Sequence, residues 1–152
     1  MSSVQVGFTG TSNGMTPGQK IAFLELLNDL SSEASSPPMF HHGCAVGADL
    51  DAATLAKDVG WWVIGHPCRC PQTRIVRSNW TIMDDETRSP HPFLARNRHI
   101  VSNTDLLIAC PSTKAEVKRS GTWSTIRYAR SESKDLYIIW PDGTVRKEEG
   151  SA

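Results

Sequence analysis

Strand-sized apolar runs alternate with amphipathic segments along this chain, and that rhythm leaves few folds open. Residues 4–9, 39–42, 61–65, 105–109 and 136–140 read as strands, and residues 17–30, 48–59, 93–104 and 122–133 carry helical spacing. The first helix shows the grammar. Thr16 can cap it, Pro17 suits the first helical position, and Gln19 can complete a capping box. Ile21, Leu24, Leu27 and Leu30 recur at three-residue spacing with Phe23 beside them, so one face is expected to be buried. The Ser/Pro-rich stretch 31–38 cannot continue the helix. Trp61-Trp62-Val63-Ile64 is apolar without a break, which suits a strand covered on both faces.

Strand–helix alternation of this kind predicts an α/β fold: a mostly parallel, five-stranded sheet with helices on both faces and right-handed crossovers. The turn Pro141-Asp142-Gly143 lets residues 144–146 fold back as a short antiparallel edge strand. At 152 residues the chain matches one domain, since domains run about 150 residues. That domain is expected over 1–146, with 147–152 as a frayed tail. Residues 67–92 show no clear period; loops of that length are usually functional or carry small extra elements.

Lys+Arg and Asp+Glu each number 16, a formal charge of zero. Binding duplex DNA as a main task needs a large cationic excess, so this balance argues against it. A small anionic ligand needs only local donors. No run reaches the ~20 apolar residues of a membrane span, and Met-Ser-Ser-Val has no basic region followed by an apolar run, so no signal peptide is expected. The four cysteines, Cys44, Cys68, Cys70 and Cys110, are expected to be reduced thiols in a cytoplasmic protein.

In open parallel sheets, ligands bind outside the carboxyl ends of the strands, where strand order reverses. The loops there hold the sequence's unusual residues. Gly10-Thr11-Ser12-Asn13-Gly14 follows a strand and precedes a capped helix. It suits phosphate approach, or it is a turn that needs positive φ. Gly43-Cys44-Ala45-Val46-Gly47-Ala48-Asp49 also joins a strand to a helix. Asp49 there is an ordinary first-turn acid or an acceptor for a ribose hydroxyl or base.

Arg96-Asn97-Arg98 opens the third helix. Positions two apart face different ways, so one arginine can reach a site while the other pairs structurally; both are candidate phosphate donors. Ser120-Gly121-Thr122-Trp123-Ser124-Thr125 begins the fourth helix with free N–H groups and hydroxyls, an anion nest. Trp123 either stacks on a base or packs under the loop. His66 is expected at the site edge. His66-Pro67-Cys68-Arg69-Cys70 has a Cys-x-Cys too tight for common zinc knuckles, so no metal and no cofactor are assigned. The acidic run Asp84-Asp85-Glu86 is expected to be solvated.

Taken in order, these residues resemble the SLOG superfamily, which includes DNA-processing protein A and the Lonely Guy phosphoribohydrolases. The resemblance rests on Arg96-Asn97-Arg98 nine residues ahead of Asp105, then Ser120-Gly121-Thr122 leading to Thr125-Ile126-Arg127-Tyr128-Ala129. His42-Gly43 with Gly47-Ala48-Asp49, His66-Pro67 and Trp123 look closest to small stand-alone SLOG proteins of bacteria and phages.

The resemblance implies a Rossmann-like nucleotide-binding domain, often a homodimer or higher homo-oligomer. It also implies phosphate contacts at Gly10, Thr11 and Ser12, at Arg96 and Arg98, and at Gly121, Thr122 and Ser124 or Thr125. Lonely Guy enzymes carry PGGxGTxxE. Here the loop reads Pro111-Ser112-Thr113-Lys114 and is longer, and the catalytic Glu position falls on Ser124 or Thr125.

The expected function is therefore holding, sensing or sequestering a nucleotide or an ADP-ribose-like ligand, since no catalytic carboxylate is recognisable at the family's position. One alternative is an N-glycosidase on a nucleoside monophosphate, with Asp49 as acid and Arg96 as charge stabiliser. Another is single-stranded DNA binding. It is favoured by six arginines against three acids between residues 69 and 98, and by Trp80 and Trp123.

Overall fold

A computed structural model describes residues 3–69 and 84–150. The elements follow in chain order: β1 (Gln5–Gly10), α1 (Pro17–Glu33), β2 (Met39–His42), α2 (Ala48–Asp58), β3 (Trp62–Gly65), β4 (Glu86–Thr87), α3 (Phe93–Ser102), β5 (Leu106–Cys110), α4 (Gly121–Ser131), β6 (Asp135–Ile139) and β7 (Val145–Glu148). They build one sheet in the order β4-β3-β2-β1-β5-β6-β7, parallel except for β7 against β6.

Among the described residues the sheet has seven strands rather than the expected five. β7 is the edge strand foreseen after the Asp142-Gly143 turn. β4 was not foreseen: it is two exposed residues paired with Ile64 and Gly65, too short and polar to show in a hydrophobic pattern. The tail expected to fray from Lys147 is ordered further. Lys147 and Glu148 pair with Tyr137 and Leu136, and the Gly150 N–H donates to Asp135 at 2.7 Å. The cysteine expectation also changes in part. Cys44 and Cys110 are buried and outside any disulfide, but Cys68 is disulfide-bonded.

Strand alternation sends side chains to two cores. On one face, Phe8, Phe40, Val63 and Ile108 pack against Phe23 and Leu27 of α1 and the alanines of α2. The rings of Phe8, Phe23 and Phe40 lie within 5.7–5.8 Å of one another. Each such buried side chain contributes roughly 1.5–3 kcal/mol. On the other face, Leu107, Ala109, Leu136 and Ile138 pack against Val101 of α3 and Trp123, Ile126 and Ala129 of α4.

The capping box at Thr16 and Gln19 forms as the sequence predicts. Gln19 does more than cap. Its buried Nε2 donates to the Pro111 and Ile139 carbonyls at 2.9 and 3.0 Å, fastening α1 to the ends of β5 and β6. Strand order reverses between β1, which leads outward to β2, and β5, which leads outward to β6. The crevice at that switch point is where a ligand is expected in this architecture.

Candidate functional site

Thr11 sits at the switch point and joins three elements. Its N–H donates to Cys110 O of β5 at 3.1 Å, and its carbonyl accepts from Ala48 N of α2 at 2.9 Å. The first N–H of α2 is thus spent on protein. Gly47 makes the junction possible: its φ is +88°, and a Cβ there would lie 2.3 Å from the Ser12 carbonyl oxygen. Gly47 therefore serves the site by letting two loops touch, and it does not line the cavity.

The N-terminus of α4 is different. Ser120 Oγ accepts from Trp123 N at 3.2 Å, and Ser124 N donates to Ser120 O. The N–H groups of Gly121 and Thr122 have no hydrogen-bond partner among the described residues. A helix start with open N–H groups carries partial positive charge and favours an anion.

These parts meet around a cavity of about 260 Å³. Thr9, Gly10, Thr11 and Ser12 form one wall. Ser112, Ser120, Gly121 and Thr122 form another, and Gly43, Ala45, Asp49, Arg96 and Asn97 a third. Phe8, Phe93 and Ile100 supply its apolar surface. Nine residues singled out from sequence therefore share one cavity: Gly10, Thr11, Ser12, Gly43, Asp49, Arg96, Ser120, Gly121 and Thr122. The apolar members and Asn97 were not foreseen, because contact with a cavity leaves no mark on residue spacing.

Asp49 and Arg96 are both buried. Asp49 Oδ2 accepts from the Gly43 N–H at 2.8 Å and the Ala45 N–H at 3.3 Å. Arg96 Nη1 donates to the Gly43 carbonyl, and to the His66 carbonyl at 3.3 Å; its Nε donates to Asn97 Oδ1 at 2.7 Å. Phe93 stacks on the guanidinium at 5.1 Å. Burial pushes the Asp49 carboxyl above the usual carboxylate range, opposed by His42, Arg96 and the two loop N–H groups. Burial also lowers Arg96, opposed by Asp49. Asp49 is thus a loop-holding carboxylate exposed to the cavity, not an ordinary solvated first-turn acid.

Other predicted residues lie elsewhere. Arg98 stacks on Tyr128 at 5.3 Å and, with Ser124 and Thr125, lines a separate groove between α3 and α4. Thr125 Oγ1 turns back to the Gly121 carbonyl at 2.9 Å. Trp123 is buried beside Trp140, with ring centroids 6.1 Å apart, so of its two readings the structure shows packing. Trp80, the other proposed stacking platform, lies outside the described residues. His66 is buried behind the cavity wall, where its Nε2 meets His41 Nδ1 at 2.8 Å and His41 Nε2 meets Gln5 Oε1 at 2.6 Å. Burial keeps this pair neutral, with His41 lowered to about 4 and His66 to about 2.

No protein-family model matches the chain, and no curated protein matches it. Solved structures do. The molybdenum cofactor binding protein from the phototrophic bacterium Rippkaea orientalis aligns at a TM-score of 0.64 and 20% identity, over 92% of this chain and 78% of that one. The molybdenum cofactor carrier protein from Chlamydomonas reinhardtii aligns at 0.62 and 16%, over 90% and 76%. DNA processing protein A from Streptococcus pneumoniae aligns at 0.65 and 22%, over 90% of this chain, which spans half of that one. The chain shares the α/β fold of these proteins. No described helix is long and apolar enough to cross a membrane.

Proposed function

We propose that the chain binds a nucleotide or an ADP-ribose-like ligand at the switch-point cavity and holds it rather than cleaving it. The observation that carries this reading is the meeting of two phosphate-suited elements in one cavity. One is the Gly10-Thr11-Ser12 loop; the other is the open N-terminus of α4 at Gly121 and Thr122. About 260 Å³ lies just below the roughly 300–1,000 Å³ of pockets for drug-sized ligands. The cavity thus suits the sugar-phosphate part, with a base projecting outward. Asp49 and Asn97 line the same cavity and offer partners for sugar hydroxyls. The two molybdenum cofactor proteins of this fold, a binding protein and a carrier protein, also hold a ligand.

Calorimetry against nucleoside mono- and diphosphates and ADP-ribose tests the reading. One of them should bind, and Gly121→Asp should weaken it at least about tenfold, or ~1.4 kcal/mol, because the added side chain crowds Phe93 of the cavity and its charge repels an anion. Arg98→Ala should bind like wild type. No binding across the panel, or equal binding by Gly121→Asp, overturns the proposal.

The raised carboxyl of Asp49 favours a second reading, N-glycosidic hydrolysis with Asp49 as the acid. Incubation with the same panel and chromatography for free base decides between them. Base release that is lost in Asp49→Asn supports hydrolysis, and none across the panel counts against it.

A further inference from the structure

A second cluster, between the end of β2 and the start of β4, stands outside the cavity lining. His42, at the end of β2, meets Asp84, just ahead of β4, with Nε2 and Oδ1 2.6 Å apart. Cys44 Sγ lies 3.9 Å from the other oxygen of Asp84. The side chains of His42 and Asp84 are fully buried, and Cys44 is 4% exposed. One donor atom from each residue falls within 4.8 Å of the other two.

We propose that His42, Cys44 and Asp84 bind a divalent transition-metal ion of the zinc class. Three observations lead there. The first is charge. Buried carboxylates are normally paired with a cation or bound to a metal. Among the described residues Asp84 faces only an imidazole and a thiol, with no lysine or arginine. The His42 Nδ1 accepts from the Cys44 N–H at 3.1 Å, so its Nε2 is the ring atom that meets Asp84. A divalent ion with one thiolate and one carboxylate is electrically balanced.

The second is built space. Cys44 takes a left-handed φ of 56°, and its thiol lies 3.9 Å from Asp84 Oδ2. Gly65 keeps the opposite side clear, since a Cβ there would lie 2.0 Å from Asp84 Oδ2 and 2.9 Å from Cys44 Sγ. The third is donor chemistry. Thiolate and imidazole nitrogen select zinc-like ions over magnesium or calcium, and three protein ligands leave a fourth tetrahedral position for water.

Loading is a simple exchange without redox change. The ion takes the lone pairs of the imidazole, the carboxylate and the sulfur, and the Cys44 thiol proton leaves to solvent. If the ion enters at Nε2, the ring hydrogen moves to Nδ1 and the Cys44 N–H lets go. The net release is one proton per ion. An ion there braces the loop whose other side walls the cavity.

The full chain, stripped with chelator and titrated with cobalt(II), tests this. One cobalt per chain should produce visible bands of tetrahedral cobalt with near-ultraviolet thiolate charge transfer, and zinc should displace it. Cys44→Ser should lose the charge-transfer band, whereas Cys110→Ala should keep it. Asp84→Asn should bind at least about tenfold more weakly. Absence of the bands, their persistence in Cys44→Ser, or unchanged affinity in Asp84→Asn each overturns the proposal. Should Cys44→Ser fail to fold, the Asp84→Asn titration decides alone. No nucleotide enters this experiment, so its result is independent of the cavity's ligand.

Discussion

Arg96 and Asp49 hold the same residue from opposite ends. Arg96 donates to the Gly43 carbonyl, and Asp49 accepts from the Gly43 N–H. The two charges make no direct salt bridge, and a Cβ on Gly43 would lie 2.8 Å from the guanidinium and 3.1 Å from the carboxylate. The end of β2 is thereby fixed in both directions, and with it one wall of the cavity.

Arg96→Ala removes the donor to two buried carbonyls and to Asn97. Such bonds to a charged group contribute about 1.5–3 kcal/mol each, so a loss of about 3 kcal/mol or more is expected. Arg96→Lys keeps the charge but cannot span the same acceptors, and should fall between. Urea unfolding measures both. A change below about 1 kcal/mol for Arg96→Ala would contradict the latch.

Gly47 and Gly60 share nearly the same φ, +88° and +91°, but not the same surroundings. At Gly60 an added Cβ meets nothing within 4 Å. Gly60→Ala should therefore cost only the backbone strain, roughly 1–2 kcal/mol. Gly47→Ala adds the collision with Ser12 and should exceed about 4 kcal/mol, if the variant folds. Equal melting temperatures for the two would show that loop contact does not matter.

The His41–His66 pair sets a pH dependence. In the unfolded chain both titrate near 6.5; in the fold they are lowered to about 4 and about 2. Between these limits the unfolded state binds more protons, so stability falls as pH drops below about 6.5. From pH 7.5 to 5 each histidine should remove about 2 kcal/mol. Urea midpoints at the two pH values check this, and His66→Phe should show about half the loss. A wild-type midpoint that does not move refutes the buried neutral pair.

Trp123 packs in the core. Trp123→Ala should cost about 3–5 kcal/mol. Trp123→Phe, which keeps most of the packing, should retain ligand affinity within about twofold, under ~0.5 kcal/mol. A large loss of affinity in a stable Trp123→Phe protein would return Trp123 to the site.

The sequence made the alternating elements legible because both faces of the sheet are covered and every long element carries its own period. Nine of the cavity-lining residues were legible for a related reason. Glycines, hydroxyls and a helix start in strand–helix loops all fall at the carboxyl edge of a parallel sheet. What stayed hidden depends on direction rather than position. Arg96 and Arg98 are two residues apart, and only the fold shows which one turns inward. Asp84 reads as part of a solvated acidic run with Asp85 and Glu86. Its burial follows from pairing of β4 beside β3, which a two-residue polar strand cannot announce.

The two edges of the sheet carry a consequence for how copies of this chain can meet. An open edge strand recruits further strands unless it is short, twisted or charged. β4 offers two residues, with Glu86 ion-paired to Arg88. β7 presents Arg146, Lys147 and Glu148, with Glu148 held by Arg130 and Arg146. Among the described residues the ladder is blunted at both ends, so crowding this protein in solution should not zip β4 or β7 of one copy onto another.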